Sequence, residues 1–410
     1  MRCIWLAVLA LLPSAAPAQN VCRPSELVTR FGDWKALSIP IRLSAPSQDI
    51  TPKTRDGQLA ASMRLLIAAP NPGAKPWSLA IRDRDGHLLS QLERSDFPSA
   101  SSTLWTGRLT GSMVTVTLRG GDADTFVEVR GASASGPPNS DQNGFSISGA
   151  TAQWRDFYTG APHSHAPAPP NRRDPAEAVG IFVDDTLAPA AAGPPGTRTS
   201  WCCTGVMIGR NLYLTNWHCA GPKRLWDGEV RGNAVIDLAW ENGPIRRQFS
   251  VSEVVAQNED LDFAILRIQP AAGADGGVRT TFPVQISTAP ISPGQSIYMI
   301  HHAQCQPKLI SDNCHVQSAS RAAWTDPLGG AGAKTEITHD CDTEPGASGA
   351  PIFDPQGRLI ALHHLGHQKA ASPMCPIDNV NKAVKMSAIS DFIKASVDPK
   401  YQALVVELGW

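Results

Sequence analysis

The chain has 410 residues, with 36 Lys plus Arg against 37 Asp plus Glu and a formal net charge of −1. That balance excludes the basic footprint of a nucleic-acid binder and a polybasic membrane patch. Roughly 390 residues would remain after loss of an export signal, which is more than a typical single domain, so two domains are expected.

Residues 1–18, MRCIWLAVLALLPSAAPA, place one Arg before an apolar run from Ile4 to Leu12 and end on Ala16-Pro17-Ala18. This pattern reads as a secretory signal with a small-residue cleavage site. The run is too short to span a bilayer as a helix. The expectation is an exported soluble protein, secreted or periplasmic, with no membrane association. Eight Cys follow Cys3: Cys22, Cys202, Cys203, Cys219, Cys305, Cys314, Cys341 and Cys375. An even number in an exported chain points to disulfides. No pair has C-x-x-C spacing, so no zinc site is expected.

Residues 19–131 read as a β-rich N-terminal domain. MRLLIAA (63–69) is apolar, and SLAI (78–81) and HLLSQL (87–92) flank a turn at Asp85-Gly86, a hairpin signal. SMVTVTL (112–118) and TFVEV (125–129) alternate apolar with polar residues around Gly120-Gly121-Asp122. The pattern predicts a small antiparallel sandwich, with a pro- or binding role open to it. Residues 132–175 turn rich in Pro, Gly, Ser and Asn and read as a linker. His163 and His165 lie there without further ligands, so no metal role is assigned to them. From 176 to 398 short apolar runs alternate with Gly and Pro turns (VGIFV, TGVMI, LYLTN, FAILRI, QSIYMI, APIFD, RLIALHH). Many short strands suggest one β-barrel or two. A helical period is expected only in KAVKMSAISDFIKASV (382–397), where Val384, Ile389, Phe392 and Ile393 share a face. Residues 399–410 are set apart as a C-terminal tail.

Three motifs stand in order within this second region: LTNWHCAG with His218, NEDLDFAILRI with Asp262, and GASGAP with Ser348. Each alone has an ordinary reading as a structural His, a turn Asp or a turn Ser. Together they supply what acyl transfer needs. An imidazole activates a weak alcohol, and a carboxylate fixes the imidazole's tautomer and stabilises its charged form. Histidine-first order argues against the α/β-hydrolase arrangement, in which Ser comes first.

These segments resemble the trypsin/chymotrypsin family of serine endopeptidases, and within it the secreted bacterial lysyl and glutamyl endopeptidases. The resemblance covers about 174–395. CTGVMIGRNLYLTNWHC is similar to the histidine region, DLDFAILRI to the Asp motif, IHHAQCQPKLIS to a bacterial segment, and DTEPGASGAPIFDPQGRLIALHHLG to the nucleophile region. It implies an all-β, chymotrypsin-like double β-barrel with a C-terminal helix, preceded by the small sandwich. It implies His218 as base then acid, Asp262 as its orienter and Ser348 as nucleophile. Gly346 and Ser348 would donate backbone N–H groups to the oxyanion, each donor worth about 3–4 kcal/mol. No cofactor or metal is implied. The partners would be protein or peptide substrates, and a monomer is expected. Ala347 departs from the Asp of the animal enzymes, so activation by a new N-terminal ammonium pairing with that Asp is not available. A cut near Arg172-Arg173 is one alternative route.

Cleavage preference stays open. Asp342, six residues before Ser348, matches a pocket for substrate Lys or Arg, and Asp378 is another candidate for Lys. Thr343 and His363 match the offsets that grip an acidic side chain in glutamyl endopeptidases, and Asp342 and His363 could instead pair with each other. A metal reading of His363 and His367 fails, because a strand does not bring i and i+4 together as a helix does. For the disulfides, the resemblance implies Cys203–Cys219. Cys305–Cys314 would close a short loop, Cys341–Cys375 would tie the nucleophile loop to the pocket wall, and Cys22–Cys202 is left by elimination. The rival functions are an inactive protease-like binding or adhesion protein and an esterase using the same triad.

Overall fold

The computed structural model describes residues 29–54, 57–135, 155–156, 168, 170–187, 198–220, 226, 234–240, 247–270, 283–321, 334–366 and 380–410. The signal segment, His163, His165, His367, Asp378, Cys22 and Cys375 lie outside the described residues.

The chain begins in a two-layered antiparallel sandwich of nine strands: β1 (Thr29–Arg42), β2 (Ser47–Ile50), β3 (Ser62–Asn71), β4 (Trp77–Arg82), β5 (Leu88–Glu93), β6 (Thr103–Trp105), β7 (Leu109–Thr110), β8 (Val114–Gly120) and β9 (Phe126–Ser135). One layer runs β1-β9-β3-β6 with β7 also on β3, and the other runs β2-β8-β4-β5. The alternation seen in the sequence builds the inner faces. Val114, Val116 and Leu118 are buried while Thr115 and Thr117 between them stay half-buried. They meet Met63, Leu65, Ile67, Val127 and Val129 from the other layer in one apolar core, each full burial worth about 1.5–3 kcal/mol.

After β10 (Arg155–Asp156) and a short helix α1 (Arg173–Glu177), two closed six-stranded barrels follow. The first comprises β11 (Val179–Leu187), β12 (Arg198–Gly209), β13 (Leu212–Thr215), β14 (Val235–Asp237), β15 (Gln248–Asn258) and β16 (Phe263–Pro270). Its ring runs β11-β14-β15-β16-β13-β12 and closes through β11–β12. The second comprises β17 (Ser296–His301), β18 (Leu309–Arg321), β19 (Glu336–His339), β20 (Pro351–Phe353), β21 (Leu359–Leu365) and β22 (Asn381–Lys385). Its ring runs β18-β17-β20-β21-β22-β19, closes through β18–β19 and carries β10 on the flank of β18. Closure leaves neither ring with a free edge. The all-β double barrel expected from the sequence is therefore what the chain forms.

The sandwich is continuous with the first barrel. β1 pairs with β9 on one side and with the outer end of β12 on the other, Thr29 lying opposite Cys202 and Asp33 opposite Thr199. Arg172-Arg173 sits where the chain turns into α1. The Arg172 guanidinium lies 3.7 Å above the Tyr298 ring and donates to the Pro355 carbonyl at 2.9 Å.

The C-terminal region differs from its expected helix in one respect. Residues 381–385 form β22, paired with both β19 and β21, and only Met386–Ala395 is helical (α2). Closing the barrel outweighs the local period, so Val384 is buried in a strand. Ile389 and Ile393 are buried on α2 as expected, and Phe392 meets Phe263 edge-on at 5.8 Å. Residues 399–408, set apart as a tail, form helix α3, with Asp398 capping the Lys400 N–H and left-handed Gly409 ending it.

Three disulfides join the described residues. Cys203–Cys219 is the expected one, and the others are Cys202–Cys305 and Cys314–Cys341. The expected Cys305–Cys314, Cys341–Cys375 and Cys22–Cys202 pairs are thereby corrected. Strand register explains the change. Val316 lies opposite His339, and two residues further along that register Cys314 meets Cys341. His301 lies opposite Leu309, which puts Cys305 at the hairpin tip, away from Cys314 and next to β12. The Cys202–Cys305 bond joins residues 103 apart. Replacing both by Ser should lower unfolding free energy by about 2–4 kcal/mol, read from urea midpoints, and non-reducing peptide maps of the wild type should link Cys202 to Cys305.

Candidate active site

The strand LYLT is buried along its whole length between β12 and β16. Where it ends, Thr215 Oγ1 donates to the Thr204 carbonyl at 2.7 Å, and the chain closes into the tight turn Trp217–Ala220. The Cys203–Cys219 bond ties that turn back to β12. Asp262 arrives from a second turn, in which Asn258 Oδ1 accepts the Leu261 N–H at 2.7 Å. Its backbone is left-handed (φ 46°), a conformation that Asp tolerates better than most residues. Asn216 Nδ2 donates to the Asp262 carbonyl at 2.8 Å and joins the two turns.

The Asp262 carboxylate then receives His218 twice, from the backbone N–H at 3.0 Å and from Nδ1 at 2.8 Å. Both side chains are wholly buried. A carboxylate only accepts, so Nδ1 carries the proton and Nε2 is left with its lone pair. His218 Nε2 has no hydrogen-bond partner among the described residues. Burial alone would oppose ionisation of Asp262, but the His218 and His364 imidazoles outweigh it and hold the carboxyl well below the usual range.

Sequence reasoning missed His364. Its Nδ1 lies 3.3 Å from the same Asp262 Oδ2, and its Nε2 lies 3.4 Å from Glu336 Oε1 on β19. The only signal was its place beside His363 after the nucleophile, and a fold was needed to show which histidine faces Asp262.

Ser348 stands in a turn gripped from several sides. Thr204 N donates to the Ser348 carbonyl at 2.7 Å, Thr204 Oγ1 donates to the Gly346 carbonyl at 2.9 Å, and Gln304 N donates to the Pro345 carbonyl at 2.7 Å. Gly346 (φ 102°) and Gly349 (φ 83°) are required. A Cβ on Gly346 would lie 2.8 Å from the His302 carbonyl oxygen, and one on Gly349 would lie 2.1 Å from the Thr204 carbonyl oxygen. The Ala347, Gly349 and Ala350 N–H groups are taken by Glu344, His363 and Ala347 carbonyls. Those of Gly346 and Ser348 meet no acceptor among the described residues. The turn packs on Thr215 and Asn216, three and two residues before His218. The turns that carry His218, Asp262 and Ser348 thus meet at the seam between the barrels, with the Gly346 and Ser348 N–H groups on the Ser348 turn.

Residues 203–362 match the family described as a trypsin-like peptidase domain. Over these residues the chain is similar to trypsin-like peptidases. Among solved structures it is similar to Deg5 (18% identity, 54% of this chain and 89% of that one, TM-score 0.38). It is also similar to the Rv3671c protease from M. tuberculosis in its active form (16% identity, 56% and 86%, TM-score 0.37). A sequence relative, "Uncharacterized protein y4fB" of Sinorhizobium fredii (strain NBRC 101917 / NGR234), is 26% identical over 188 residues, which span 42% of this chain and 26% of that protein.

Asp342, Thr343 and His363, expected from the sequence as pocket residues, lie buried beside the Ser348 turn. Asp342 and Thr343 precede it, and the Asp342 carbonyl accepts from Ser311 Oγ. His363 Nδ1 meets His339 Nε2 at 3.1 Å, with the rings edge-on. Burial, and then the neighbouring His339, push His363 well below its ordinary value and keep it neutral. Burial likewise lowers His301, to about 3. There Nε2 faces Ser311 Oγ at 3.0 Å and Nδ1 accepts the Ala303 N–H. His364 goes the other way. Burial would lower it, but Glu336 and Asp262 raise it to about 9.

Two predictions follow from this geometry. Gly349→Ala should destabilise the fold by about 3 kcal/mol or more, since it combines a left-handed backbone with a clash against β12, read by urea unfolding. For pH, His301 and His363 gain protons on unfolding below their ordinary 6.5, so stability falls as pH drops beneath that value, down to about 3 for His301. The raised His364 contributes fully below 6.5 and loses its contribution as pH rises through about 9. Urea midpoints should therefore peak near neutrality, and an alkaline side that stays flat to pH 9 would contradict the assignment.

Proposed function

We propose that the protein is an exported serine endopeptidase. The observation that carries this reading is the buried His218–Asp262 pair beside a clamped Gly-x-Ser-Gly turn. As Ser348 Oγ attacks the scissile carbonyl, its proton passes to His218 Nε2. Asp262 keeps the other ring nitrogen protonated and stabilises the imidazolium. The carbonyl oxygen gains the negative charge and points at the Gly346 and Ser348 N–H groups. His218 returns the proton to the leaving nitrogen, the C–N bond breaks and an acyl-enzyme remains. Water, giving a proton to His218, attacks the ester, and the acid product leaves as Ser348 regains its proton.

Three disulfides among the described residues suit an oxidising compartment. No helix among the described residues is long and apolar enough to cross a membrane.

For the pocket we propose a preference for Glu before the scissile bond. A neutral His363 held by His339 can donate a ring N–H to a carboxylate. Thr343 Oγ1, which has no partner among the described residues, can donate a second hydrogen bond.

Ser348→Ala and His218→Ala should each lower kcat/KM by about 10⁴-fold or more, and Asp262→Asn by about 10³–10⁴-fold, with double variants no worse than the worst single one. A mixed peptide library read by mass spectrometry should show cuts after Glu. Cuts confined to Lys or Arg would assign recognition to Asp342 or Asp378. Turnover of esters alone would favour the esterase, and wild type as silent as Ser348→Ala would favour a binding protein.

A further inference from the structure

Asp262 is shared by two imidazoles. His218 Nδ1 and His364 Nδ1 both address Oδ2, at 2.8 and 3.3 Å, and both rings are buried. A second donor on one oxygen draws negative potential away from the first. On its own, a charged His364 would weaken the hold of Asp262 on His218 and the stabilisation of the His218 imidazolium. The structure supplies an offset on the far side of the His364 ring, where Glu336 Oε1 lies 3.4 Å from Nε2. Glu336 is 1% exposed. A carboxylate this deep would be costly without a cation beside it, and no part of the proposed hydrolysis needs one there.

We propose that Glu336 is a positioning residue of the hydrolytic site, acting through His364 on the Asp262 carboxylate. The inference rests on the peptidase reading above. In it, four groups alternate in charge from the seam into the second barrel: His218 when protonated, Asp262, the His364 imidazolium and Glu336. Over Asp262, the His364 imidazolium and Glu336 the alternation sums to one carboxylate, while the His218 and His364 donors hold Asp262 Oδ2 in place. The geometry comes from both barrels, with Asp262 in the turn just before β16, His364 on β21 and Glu336 on β19. The other titratable groups close by are His363, next in the chain, His339, paired with it, and Lys382, buried on β22 opposite Thr338. Raising of His364 by Glu336 and Asp262 agrees with the arrangement.

The test is the pH profile of kcat/KM for the full chain, whose acid limb reports the essential base. Glu336→Gln removes the carboxylate behind the His364 cation and leaves Asp262 to balance it alone. The limb should move to lower pH by roughly half to one unit, the size of one charge felt across a buried site, and kcat should fall while KM holds. Adding His364→Asn, which removes the cation and keeps a donor for Asp262, should return the limb to its wild-type position. A limb that stays in place in Glu336→Gln, with only a uniform loss of rate, overturns the proposal, because that is what a merely structural residue would give. Should the variants not fold, imidazole ¹⁵N NMR of the wild type decides. A buried imidazolium persisting at pH 7.5 is expected, and its absence overturns the proposal. Failure of the peptidase reading shows separately, as a Ser348→Ala variant as active as the wild type.

Discussion

One buried carboxylate organises the molecule. Asp262 has no access to solvent, and an ionised group in that position costs several kcal/mol unless it is hydrogen-bonded and paired. The fold meets the requirement from both barrels. His218 and its own backbone N–H come from the first barrel, while His364 comes from the second. The seam between the barrels is thereby a set of directed bonds as well as an apolar contact. A shift of either barrel would leave a charge stranded, which gives the site a rigidity that its loops alone could not supply.

Thr204 does the corresponding work for the Ser348 turn. It lies one residue past the Cys203 disulfide, and its backbone and hydroxyl reach Ser348, Gly346, His302 and Thr215. Cys202 on its other side is bonded to Cys305, whose carbonyl accepts from Trp240. Three consecutive residues of β12 therefore hold the His218 turn, the Ser348 turn and the hairpin tip beside it. The same strand carries β1 of the sandwich along its outer end. One layer of the N-terminal sandwich is in this way hydrogen-bonded to the strand that braces the site.

Much of this was legible in the sequence because local patterns carried it. Alternation in SMVTVTL and the turns at Asp85-Gly86 and Gly120-Gly121 marked the sandwich, and apolar runs between Gly and Pro marked the barrels. His218, Asp262 and Ser348 stood in motifs specific enough to be singled out together. What was hidden depends on which strand lies beside which. Cys314 meets Cys341 because of a register between strands that are distant in sequence. His364 is one residue from a histidine that was singled out, yet only the fold turns it toward Asp262 and brings Glu336 from β19 behind it. Val384 had a place in a helical period, and barrel closure made it a strand residue. Thr204 gave no signal, since a threonine in a buried strand is ordinary until its partners are known.

The central claim is that Ser348 is a nucleophile activated by His218. The most direct measurement is intact-mass and peptide mapping of the full chain after exposure to an organophosphonate that phosphonylates activated serines. A single adduct on the peptide containing Ser348, formed by the wild type and absent from His218→Ala, is the predicted result. No adduct on the folded wild type, or equal labelling of the His218→Ala variant, would contradict it.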